Sequence, residues 1–99
     1  MIFARVTGNV VCTAKDEKLV GAKLMLVQPV DPAGAPKGNP LVAVDAVGAG
    51  EGELVLLVQG SSARQTARTQ NNPVDAVIFA IVDHVEQGGK TVFSKAGDV

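Results

Sequence analysis

Residues 42–64 read V-A-V-D-A-V-G-A-G-E-G-E-L-V-L-L-V-Q-G-S-S-A-R, and this order of apolar run, glycine turn, apolar run and helix start decides the fold class. The apolar runs at residues 41–47 and 54–58 have strand length and are rich in Val and Leu. Between them, Gly48, Gly50 and Gly52 can take positive φ without a Cβ clash, which predicts a hairpin turn carrying Glu51 and Glu53. The turn departs from a phosphate loop. A G-x-G-x-x-G fingerprint needs its third glycine one residue later and a helix behind it, whereas here a strand follows and two glutamates would repel a phosphate.

Directly after the second run stand Gly60, Ser61, Ser62, Ala63 and Arg64. Ser62 with Gln65 three residues on has capping-box spacing, which predicts a short helix over roughly residues 63–69. A serine nucleophile turn, G-x-S-x-G, is incomplete because Arg64 holds the last position.

Working outward, residues 2–13 alternate in a way that predicts one long strand, bent by a bulge at Gly8. The charged run at residues 15–18 reads as a solvated loop. Residues 22–30 form a second strand ending at Pro29, and D-P-A-G-A-P-K-G-N-P at 31–40 is a surface loop. Downstream, Q-N-N-P at 70–73 is a breaker, residues 74–85 a fifth strand, and the tail from about residue 86 turns at Gly88-Gly89 into a short strand at 91–93.

Ninety-nine residues suit one small domain, residues 1–99. A net charge of −1 gives no basic field for nucleic acid or an anionic membrane, and no apolar run approaches the roughly 20 residues a bilayer needs. Arg5 interrupts any signal-like segment, and the lone Cys12 cannot form an internal disulfide, so a cytoplasmic setting is expected. With no Trp or Tyr and three Phe, the core must be built from Val, Leu, Ile and Ala. His84 and Cys12 have no metal-ligand spacing, and no nucleophile, base and orienting group stand at workable spacing. No catalytic, cofactor or metal residue is therefore named.

Two features point to self-association. The strands at 54–58, 74–85 and much of 24–27 are apolar on both parities, whereas a lone small sheet or barrel should have one dry face and one wet one. Another copy of the chain is expected to cover the second face. Asp45 and Asp75 interrupt apolar strands, and a buried carboxylate needs a partner. At least one of them is expected to meet an arginine (Arg5, Arg64 or Arg68) or a backbone N–H across a subunit boundary.

The central stretch, with A-R-V-T-G-N-V-V-C-T at residues 4–13 and P-V-D-A-V-I-F-A-I-V-D at 73–83, resembles the EutN/CcmL family of bacterial microcompartment vertex proteins. The resemblance spans residues 1 to about 85. It looks closest to the ethanolamine-utilisation branch, which the tail G-G-K-T-V-F at 88–93 also fits. Many members carry Trp after the last glutamate of the turn, where this chain has Leu54.

The resemblance implies a mainly β fold: a small five-stranded OB-like β-barrel with one short helix, forming a cyclic homopentamer. It further implies a structural, non-enzymatic role, capping the five-fold vertices of a shell whose facets are hexagonal proteins. Five copies would leave an axial opening, lined either by Gly60, Ser61, Ser62, Ala63 and Arg64 or by the turn with Gly48, Gly50, Glu51, Gly52 and Glu53. The serine loop is the expected choice at the axis or subunit boundary. An OB-type ligand or nucleic-acid binding module shares the strand pattern and is the alternative, disfavoured by three Phe in or near apolar strands and a slightly negative charge.

Overall fold

Alternating apolar residues produce seven strands in a computed structural model that describes residues 1–66, 69–70 and 74–96. They are β1 (Ile2–Val10), β2 (Leu24–Pro29), β3 (Leu41–Asp45), β4 (Leu54–Gln59), β5 (Ala76–Ile81), β6 (His84–Gln87) and β7 (Lys90–Ser94). The first five close into a barrel in the order β1-β2-β3-β5-β4, and β6 and β7 make a separate two-stranded ribbon. The register of β1 on β2 shifts between Val6 and Gly8, at the expected bulge.

The glycine stretch is not a hairpin turn. β5 lies between β3 and β4, parallel to the first and antiparallel to the second, so the two strands flanking the turn never pair. The turn instead docks on β1: Gly52 N–H donates to the Val6 carbonyl at 2.8 Å and Val6 N–H donates to the Glu53 carbonyl at 3.0 Å. Ala49 at its tip is wholly buried in the barrel core. Local turn chemistry allowed the reversal, but β4 satisfies its two edges with β1 and β5.

The fifth strand is also shorter than expected. It breaks after Ile81, where Val82 N–H donates to the Leu54 carbonyl at 2.9 Å, and His84 then starts the ribbon. The break lets the chain leave the barrel wall once β5 has finished pairing with β4.

The expected helix proves to be a single 3-10 turn, Gly60–Arg64, beginning before Ser62. No side chain caps it, so the capping-box reading is corrected: Ser62 lies inside the turn and offers its carbonyl to the Gln65 N–H. Gly60, at φ +69°, makes the abrupt exit from β4, and its N–H donates to the Asp75 carbonyl at 2.8 Å. Residues 67–68 of the expected helix lie outside the described residues.

Inward-facing Ala4, Val6, Met25, Val27, Ala43, Val55, Leu57, Ala76 and Ile78 fill the barrel. The opposite parity is partly covered from within the same chain. Ala63, wholly buried in the helical turn, packs with Val44 and Val77 in a second cluster, flanked by Leu24, Val74 and Phe79. Part of the face expected to be covered by another copy is thus covered by the chain itself. Leu26 and Val42, paired across β2 and β3, stay 37% and 45% exposed. Leu54 is fully buried.

Candidate functional site

The two stretches competing for an axial position sit at opposite ends of β4, one just before Leu54 and one just after Gln59. Six strand residues separate them, on the order of 20 Å at the usual strand rise. The structure therefore does not bring them into one site.

At the far end, Ser61, Ser62 and Arg64 are exposed and Ala63 is buried. Ala63 anchors the turn on Val44 and Val77, which leaves the two hydroxyls and the guanidinium facing outward. Arg64 Nη1 donates to the Val74 carbonyl at 3.2 Å, tying the turn to the segment before β5. The result is a shallow polar depression with Gln65 and Gln70, able to donate and accept hydrogen bonds.

At the near end the turn is organised by Glu53. Its Oε1 accepts the Gly50 N–H at 2.6 Å and its Oε2 accepts from Lys95 Nζ at 2.7 Å. The Lys95 hydrogen bond first, and the Gly50 N–H second, hold the Glu53 carboxyl below the ordinary glutamate value. Arg5 Nη1 donates to the Gly52 carbonyl at 2.8 Å. Glu51 remains exposed.

The two carboxylates differ from each other. The Asp45 side chain is 1% exposed, and its Oδ1 accepts from the N–H groups of Val47 (3.0 Å) and Gly48 (3.1 Å), with Lys23 Nζ at 3.9 Å from Oδ2. Its partners are thus a local backbone and a lysine of its own chain rather than an arginine. Asp75 is not buried in the single chain: it is exposed and precedes β5, which begins at Ala76, two residues later than expected. Arg68 lies outside the described residues.

Beside Asp75 the barrel wall opens. β3 and β5 pair only through Val44 with Val77 and Asp45 with Ile78, and beyond that they part. The seam is a groove of about 230 Å³ lined by Leu19, Leu24, Val42, Val44, Val74 and Asp75. Sequence reasoning missed this groove, since it arises where two strands 30 residues apart diverge, and it missed Lys95 as the partner of Glu53. No local signal marks a contact across 42 residues. Among the described residues no group of three or more His, Cys, Asp or Glu could hold a metal, and no helix is long and apolar enough to cross a membrane.

Residues 1–83 match the family described as ethanolamine utilisation protein EutN/carboxysome. The bacterial microcompartment shell vertex protein EutN of Salmonella typhimurium is 50% identical over 95 residues, 96% of each chain. The structure of CcmL from Gloeobacter violaceus is 44% identical, with a TM-score of 0.91 over 97% of this chain and 99% of that one. The GrpN pentameric microcompartment shell protein of Rhodospirillum rubrum is 44% identical, with a TM-score of 0.80 over 88% of this chain and 99% of that one.

Proposed function

The chain belongs to the EutN/CcmL family, and from that membership we propose that it is a structural shell protein which caps the five-fold vertices of a bacterial microcompartment as a homopentamer. A hexagonal lattice is flat, and closing it into a polyhedron requires pentagonal positions. The protein supplies those positions from its place in the shell, within the cytoplasm. The observation that carries this reading is the match of the whole barrel to a pentameric shell protein, covering 99% of that chain at 44% identity.

The role is geometric and involves no reaction. Residues 1–99 act as a single vertex domain, and the partners are four further copies and the hexagonal shell proteins around them. The half-exposed Leu26–Val42 pair and the adjoining seam supply apolar surface for a neighbouring copy, with Asp75 at its rim. The outward hydroxyls of Ser61 and Ser62 favour the serine turn at the axis or subunit boundary. Identity of 50% to an EutN protein favours an ethanolamine compartment as the setting.

Native mass spectrometry at micromolar concentration tests the assembly. A dominant five-chain species is expected, and a stable monomer would refute it. Coexpression with hexagonal shell proteins tests the role: closed shells should form with the chain present, and open sheets or tubes without it.

A further inference from the structure

The β6–β7 ribbon has no third strand among the described residues, and a lone two-stranded hairpin is marginal in water. It is nevertheless tied to the barrel at defined points. Lys95, just past β7, donates its Nζ to Glu53 Oε2 at 2.7 Å, while its backbone N–H to the Asp83 carbonyl, at 2.7 Å, extends the ribbon's own ladder. Arg5 of β1 stands over the Phe93 ring of β7, 5.8 Å from its centroid. Both side-chain ties converge on the glycine turn, because Arg5 also holds the Gly52 carbonyl and Glu53 also holds the Gly50 N–H.

We infer that Glu53, Lys95, Arg5 and Phe93 form an intrachain clasp that fixes the β6–β7 ribbon to the glycine turn of its own barrel. Its ion-pair arm is partly shielded, with the Glu53 side chain 23% and that of Lys95 52% exposed, and salt weakens it. The Arg5–Phe93 arm adds ring contact as well as charge.

Other charges surround the pair. Asp83, ahead of β6, adds to the field on Lys95, and His84 and Glu86 of β6 line the same depression, 3.7 Å apart. The opposite shifts of the two partners, Glu53 down and Lys95 up, agree with the contact geometry.

Amide hydrogen exchange on the full chain tests the clasp, comparing wild type with Glu53→Gln and Lys95→Met. Gln keeps an oxygen for the Gly50 N–H but turns an NH2 donor toward Lys95, so both the charge and the Lys95 hydrogen bond are lost. Either variant should exchange its β6 and β7 amides roughly two- to five-fold faster at low salt, the range expected of a partly exposed ion pair. The double variant should add nothing further, β1 and β4 amides should hold their rates, and wild type in about 1 M salt should approach the variants. Unchanged ribbon exchange in both single variants overturns the proposal, as does acceleration spread evenly over the barrel. A second arm separates own chain from neighbour. Protection should return when Glu53→Lys and Lys95→Glu share one chain, and its return on co-refolding the two single variants would instead show a contact between copies.

Discussion

Asp45 brings a carboxylate into the barrel wall, and its cost is met by two backbone N–H groups of the turn that follows it. Asp45→Ala strands both donors, Val47 N–H and Gly48 N–H, in a partly buried position. A loss of about 1–3 kcal/mol is expected in chemical denaturation. Asp45→Asn retains an acceptor oxygen and should lose less. Gly60 makes a different demand, since φ +69° is left-handed backbone. A Cβ there would meet nothing within 4 Å, so Gly60→Ala should show backbone strain alone, about 1–2 kcal/mol, measurable as a lowered midpoint without a change in slope.

Glu53 gives the residue-scale pH dependence. Its folded pKa lies below the ordinary 4.5. The stability it contributes is therefore present above the unfolded value and fades as pH falls through the lowered folded value. Stability measured from pH 6 down to pH 3 should decline less steeply in Glu53→Gln than in wild type, and equal slopes would remove Glu53 from the acid limb.

At the scale of elements, the 3-10 turn Gly60–Arg64 acts as a small lid whose one buried side chain, Ala63, seals the outer face of β3 and β5. Ala63 is wholly buried there. Ala63→Leu should destabilise by about 1–3 kcal/mol through overpacking against Val44 and Val77, read by thermal unfolding. The glycine stretch works as a plug rather than a hairpin, inserting Ala49 into the barrel end while its backbone pairs with β1. Both elements were visible in the sequence as turn chemistry. Their placement was not, because glycine permits a reversal without naming the strand that will receive it.

For the whole molecule, Leu26 and Val42 form a half-exposed apolar pair across β2 and β3, and Val42 also lines the seam between β3 and β5. Val42→Lys places a charge where the proposed neighbour would pack but leaves the barrel interior untouched. The variant should melt close to wild type as a folded chain and lose the five-chain species in native mass spectrometry. A pentamer persisting at wild-type concentrations would move the interface elsewhere. The outer face of β3 and β5 is partly covered by the chain's own helical turn.

The sequence by itself determined where most strands run, which parity faces the core, and that the core is made of small aliphatic side chains. These follow from a two-residue alternation and from glycine and proline positions, all local signals. It also carried the family, through motifs spread over most of the chain. Only the tertiary structure decided that β5 separates β3 from β4, that Ala49 enters the core, that Asp45 is satisfied locally while Asp75 is exposed, and that Glu53 meets Lys95. Those outcomes depend on which distant edges and side chains meet once the barrel closes. Closure gives every strand of the barrel two paired neighbours at once, a condition that no window of neighbouring residues contains.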